Sequence, residues 1–151
     1  MAKAATKKAV KKTEKPIKYA DKSEGQPELA PIFQRIKTML SKYHGKGTLE
    51  ERGADSGGQY TIISFKDIEV AGRKLDSIYF ASTLVQKGFV GFYFFPIYAC
   101  KEAIPFVEPE LKKCLKGKTC FHIKKNDEII MQQIEEALQK GFQLYKKLGW
   151  V

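Results

Sequence analysis

At 151 residues the chain has room for one hydrophobic core and no second domain. With 43% hydrophobic and 12% aromatic residues, it can bury roughly two-thirds of its unfolded surface without help from metal or disulfides. The net charge of +10 is segmental: residues 1–24 carry eight lysines against three acids, which points to a charged segment rather than a uniformly basic face.

Residues 1–26 consist largely of Ala, Lys and Thr, with Pro16 and Gly25, and have too little apolar surface to offset the entropy of ordering. They are predicted to form a disordered tail ahead of a domain spanning 27–151. Lys7, Lys8, Lys11 and Lys12 are its candidate nucleic-acid contacts, acting through counterion release, and a solubilising extension is the plainer alternative.

From Glu28 to Tyr43, Leu29, Ile32, Phe33, Ile36, Met39, Leu40 and Tyr43 recur at spacings of three and four, which predicts an amphipathic helix stopped by Gly45. Its wet face is basic, with Arg35, Lys37 and Lys42. Short β-favouring runs follow at Thr48–Arg52, Tyr60–Lys66, Ile68–Ala71, Ser77–Gln86 and Phe89–Phe95, separated by Gly- and Asp-containing turns. Connections this short favour antiparallel neighbours and hence a meander. Pro109–Leu115 reads as a short helix and Thr119–Lys124 as a further strand. The last helix has Asn126 or Asp127 as its cap and an apolar stripe of Ile130, Ile134, Leu138, Gly141, Tyr145 and Leu148, running to Gly149. Gly141 inside that stripe implies a close helix-to-sheet contact or a kink. The fold class expected is α+β: an antiparallel sheet of about five to six strands, packed by an N-terminal and a C-terminal helix plus one short helix.

Alternation in Phe89–Phe95 sets Phe89, Gly91, Tyr93 and Phe95 on one face and Val90, Phe92 and Phe94 on the other. Both faces are apolar, so the face turned away from the helices must meet something. The choices are the chain's own Pro96–Val107 segment, a small apolar ligand or a second copy of the chain. Lys87–Phe94 partly matches an RNA-recognition signature, but Gly91 stands where a second base-stacking ring is required.

Cys120 and His122 alternate on one strand and share a face, making them candidate metal or thiol-chemistry residues, with buried structural roles as the alternative. The three cysteines form no CxxC pair and no apolar signal segment precedes them, which reads as reduced thiols in a cytoplasmic protein. No window reaches the roughly 18 apolar residues of a membrane span. The carboxylates do not cluster along the chain, and no phosphate loop, nucleophile elbow or zinc-protease motif is present. An enzyme is not expected.

Three stretches in this order, Ile78–Ala81, Val90–Phe94 and Pro109–Lys125 with its Leu115-Lys116-Gly117-Lys118 turn into a strand, resemble the YdhG-like family, a domain of unknown function. The resemblance covers Pro31 to Val151 and implies a compact α+β domain with an antiparallel sheet. One branch of that family resembles a bacterial frataxin-like iron chaperone, so iron enters only through the resemblance. Metal binding of that type uses clustered acids on the first helix, where this chain has Glu28 followed by Arg35, Lys37 and Lys42, and no metal-binding residue is carried over. The expected function is therefore a non-enzymatic binding or interaction domain using the aromatic strand. A nucleic-acid-associated role through the tail and an iron-carrier role are the alternatives.

Overall fold

In the computed structural model, which describes residues 18–53 and 57–151, two helices carry the apolar periodicity of the sequence. Helix α1, Ala30–Ser41, follows a 3-10 turn at Pro27–Leu29 and buries Ile32, Phe33, Ile36, Met39 and Leu40 along one side. The long helix α4, Glu128–Leu148, begins where the Asp127 carboxylate accepts a hydrogen bond from the Ile130 N–H at 3.0 Å. Glu128 in its first turn and Lys146 and Lys147 in its last oppose the helix dipole. It stops at Gly149, whose φ of 77° lies in the left-handed region that lets the chain turn Trp150 back onto Tyr145.

Between the helices lie strands β1 (Leu49–Gly53), β2 (Gln59–Ser64), β3 (Ile68–Val70), β4 (Arg73–Leu75), β5 (Ile78–Gln86) and β6 (Phe89–Phe94). Helix α2 (Pro96–Ala99), a 3-10 segment (Lys101–Phe106), helix α3 (Pro109–Lys112) and β7 (Cys120–Ile123) then lead into α4. The main sheet has five strands in the order β1-β2-β5-β6-β7, every pair antiparallel, so the expected α+β class and strand number hold. The Ile68 run pairs outside this sheet, forming a two-stranded hairpin with β4. That partner lacks alternation because all three of its residues are exposed. Helix α2 and the 3-10 segment were also unanticipated, because Pro96 and Pro105 read locally as turn residues.

Both long helices cover one face of the sheet, where Phe80, Phe92, Phe94, Phe121 and Tyr145 are fully buried. Gly141 permits this approach, since a Cβ there would stand 2.7 Å from Phe94 Cζ. Of the two readings open for this glycine, close packing is the one the structure shows. The Lys116 N–H donates to the Cys120 carbonyl at 2.7 Å and the His122 N–H to the Cys114 carbonyl at 2.9 Å, so the outer edge of β7 is covered by the chain leaving α3.

On β5 the register slips by one residue: Ile62 pairs with Ala81 but Ile63 with Tyr79, leaving Phe80 without an opposite number. Phe80 and Ala81 are both buried at this bulge, and the outward-facing set changes from odd to even positions, so Tyr79 and Ser82 both face away from the helices.

The boundary expected at residue 26 is too late. Residues 18–26 lie against the β5–β6 end of the sheet: the Tyr19 hydroxyl donates to the Val85 carbonyl, and Lys22 Nζ to Gln86 Oε1 at 2.8 Å. Gln26 clasps the hairpin turn, its amide donating to the Gln86 carbonyl at 3.0 Å and accepting from the Gly88 N–H at 2.7 Å. These bonds join residues some sixty positions apart, so composition, which sees only local apolar content, missed them. The candidate tail residues Lys7, Lys8, Lys11 and Lys12 lie outside the described residues. Among the described residues no helix is long and apolar enough to cross a membrane.

Candidate functional site

The sheet face away from the helices is organised in cross-strand rows, because opposed residues in an antiparallel ladder project to the same side. One row is Gln59, Leu84, Gly91 and His122; the next is Thr61, Ser82, Tyr93 and Cys120. Tyr79 and Phe95 lie beyond the second row, their ring centroids 6.0 Å apart, and Tyr98 continues the aromatic ledge 5.3 Å from Phe95. The structure thus places Phe89, Gly91, Tyr93 and Phe95 on one face as the alternation requires, with the three rings only half-buried. The Pro96–Val107 segment does not close this face: its 3-10 turn packs against α4, and Ala103 joins the helical core.

Within the rows is a groove of about 330 Å³ whose floor is Gln59, Thr61 and Ser82 and whose sides include Tyr79, Leu84, Tyr93 and Phe95. Its floor is a closed hydrogen-bond set. Gln59 Nε2 donates to Thr61 Oγ1 and, at 3.3 Å, to Ser82 Oγ; Thr61 and Ser82 hydroxyls are 2.7 Å apart; and Ser82 Oγ donates to the Tyr60 carbonyl at 3.2 Å. Gln59 is only 7% exposed, and its Oε1 has no hydrogen-bond partner. The sequence reading did not single out these three residues. The signal was present in β2, where Gln59 and Thr61 alternate with Tyr60 and Ile62, but their neighbour Ser82 reaches the same face only through the register of β5.

Gly91 gives Tyr93 its position. A Cβ at Gly91 would lie 2.9 Å from Tyr93 Cε1, so the ring rests in the space left by the missing side chain. Burial pushes the Tyr93 hydroxyl pKa up to about 12, and the neighbouring Cys120 adds to the rise. Phe89 stacks on His122 with centroids 3.7 Å apart and planes 11° from parallel.

The two sequence-selected residues of β7 therefore share a face, as expected, but each is engaged by an aromatic neighbour. Burial raises the Cys120 thiol, a shift the neighbouring Tyr93 hydroxyl partly opposes. Desolvation, followed by Lys116 and Lys124, lowers His122 and favours the neutral ring. Among the described residues no three His, Cys, Asp or Glu side chains converge. On α1, Arg35 meets Glu128 at 2.5 Å, Lys42 meets Glu135 at 3.3 Å, and Lys37 lies 5.5 Å from the Tyr60 ring centroid. The basic face of that helix is thus directed at α4 and at an aromatic ring.

A wider cleft of about 860 Å³ lies between α4, the 3-10 segment and the loop after α1. The Lys46 ammonium sits 5.1 Å from the Tyr43 ring centroid and 5.9 Å from that of Phe142, covering two of the three aromatic rings that line it. The sheet groove keeps its aromatic sides open around a small polar floor, which makes it the better-formed site. Searches of protein-family models, curated proteins and solved structures found no match to this chain.

Proposed function

We propose that this is a non-enzymatic binding domain whose outer sheet face takes a small, largely apolar molecule. The observation that carries this reading is the groove itself: aromatic and aliphatic sides from Tyr79, Leu84, Tyr93 and Phe95 around a small polar floor. That combination of an apolar lining with few, fixed polar groups characterises small-molecule sites. The pattern of β6, apolar on both faces, is explained by one face forming the core and the other forming this groove. The nearby ionisable groups fit a binding role, since the Cys120 thiol is raised and His122 is stacked on Phe89. The YdhG-like resemblance fits the same reading through its fold alone.

The test is a titration of the full chain with indole, a two-ring probe small enough for the groove, followed by amide chemical shifts. Saturable changes centred on Thr61, Ser82, Leu84 and Tyr93, lost in Leu84→Lys with the unfolding free energy in urea kept within about 1 kcal/mol of wild type, support binding. Absence of such changes at millimolar probe removes the reading. A concentration-dependent dimer in sedimentation, with shifts on Tyr79 and Tyr98, instead assigns the face to a second copy.

A further inference from the structure

We infer that the ligand of the sheet groove is a planar aromatic acid, its ring system lodged in the groove and its one anionic group held at the rim by the Lys118 ammonium. The inference rests on the binding reading above and adds the shape and charge of the ligand. Among the described residues, those that line the groove carry no formal charge. An ionised group taken inside would give up its water without a counter-charge, so the part of the ligand in the groove is neutral. The walls set its shape. The Tyr79 and Phe95 rings, tilted 56° to each other, and the Tyr93 ring lying over Gly91 present flat apolar surfaces to a flat molecule. A volume of about 330 Å³ is at the small end for ligand sites and admits one or two rings.

Charge begins at the rim. Gly117, with a φ of 93° in the left-handed region, turns the chain leaving α3 into Lys118 and Thr119 ahead of β7. Thr119 lines the groove, and the Lys118 ammonium lies 5.5 Å from the Tyr98 ring centroid, on the aromatic ledge that continues outward from Phe95. Contact with that ring holds the ammonium in place without neutralising it. Among the described residues no carboxylate pairs with it. Its neighbours along the chain have the same sign: after desolvation, Lys116 and Lys124 are what disfavour the charged form of His122 on β7. The β7 side of this face therefore sets positive charge beside apolar walls, an arrangement that attracts an anion and repels a cation.

Indole-3-acetate and indole-3-acetamide share a shape and differ in charge, so titrating the full chain with each, followed by amide chemical shifts, isolates the anionic group. At low salt the acetate is expected to bind about threefold or more tightly than the acetamide, and added salt is expected to shrink the difference. In Lys118→Gln the two probes are expected to bind within about 1.5-fold of each other. Lys118→Arg, which keeps the charge, is expected to keep the preference. So is Lys140→Gln, which removes one positive charge from the exposed side of α4 and thereby separates Lys118 from the net +10 of the chain. Equal affinity for the two probes in the wild-type chain overturns the anionic assignment and leaves the groove as a binding site. A preference kept in Lys118→Gln, or lost as fully in Lys140→Gln, overturns the role of Lys118. If neither probe moves groove resonances, the binding reading falls and this inference with it. The wild-type comparison alone decides the charge question should Lys118→Gln fail to fold.

Discussion

The hydroxyl of Tyr145 on α4 donates a 2.8 Å hydrogen bond to the backbone carbonyl of Tyr79 on β5. Tyr145 is fully buried, whereas the side chain of Tyr79 is on the opposite face of the sheet and 48% of that residue is exposed. The carbonyl it satisfies lies next to Phe80, the residue the β5 bulge leaves without an opposite partner on β2. The phenol therefore completes a ladder that the bulge interrupts, and it ties the helical core to the strand that shapes the groove.

Replacing Tyr145 with Phe keeps the ring packing against Phe80 and Trp150 but leaves the Tyr79 carbonyl without its partner. The expected loss is about 1–3 kcal/mol, read as a lower urea midpoint at unchanged slope. The largest amide shift changes should fall at Tyr79, Phe80 and Ser82. An unchanged midpoint would mean that the carbonyl finds another partner at no cost.

Gly141 is expected to resist even alanine. A methyl group there meets Phe94 Cζ at 2.7 Å, Phe94 Cε1 at 2.9 Å and Pro96 Cγ at 3.2 Å, and the Phe94 ring is fully buried with no free side to swing into. Alanine gains about 1 kcal/mol in helix propensity, while overpacking costs about 1–3 kcal/mol. Gly141→Ala should accordingly lower the melting temperature. A rise would show that α4 can move off the sheet freely.

The Arg35–Glu128 pair predicts a specific acid sensitivity. Arg35 hydrogen-bonds Glu128 through both guanidinium arms at 2.5 and 2.6 Å, and this lowers the Glu128 pKa. A depressed carboxylate contributes stability that is present above its unfolded pKa of about 4.3 and is lost as pH falls through the folded value. Glu128→Gln should flatten that part of the stability profile below about pH 4.3. Because both groups are at the surface, 1 M salt should shrink the difference between the two proteins. Parallel acid profiles for the two would exclude the pair as a contributor.

All three thiols should react slowly in the folded protein. Burial raises each of them, Cys100 to about 11 with a further push from Glu102, so at neutral pH they remain protonated. Alkylation at pH 7.5 is expected to be slow in buffer and fast in urea. A buried neutral thiol favours the folded state below the unfolded thiol pKa of about 8.5, and that advantage is lost as pH rises toward the folded value. Stability should therefore decline above about pH 8.5, with Cys100→Ala declining less. Rapid labelling of folded Cys120 would contradict its half-buried setting.

Helix α1 was legible because Leu29 through Tyr43 repeat at helical spacing, and α4 because Asp127, its stripe and Gly149 supply both ends and a face. Strand β6 was equally legible, since strict alternation assigns Phe89, Gly91 and Tyr93 to one side without knowledge of any neighbour. Strand β4 and the turns of Pro96–Phe106 were not, because their residues follow no period and take their conformation from what they pack against.

The candidate site divides along the same line. The sequence by itself determined one side of the groove, the aromatic face of β6, because side-chain direction within a strand is a local property. Only the tertiary structure decided that Gln59, Thr61 and Ser82 form its floor, that Tyr93 lies over Gly91 and that residues 18–26 belong to the fold. Each of these depends on strand register, on a single-residue bulge or on hydrogen bonds between distant positions. Such relations arise when the two helices settle on the sheet, and no window of the chain encodes them alone.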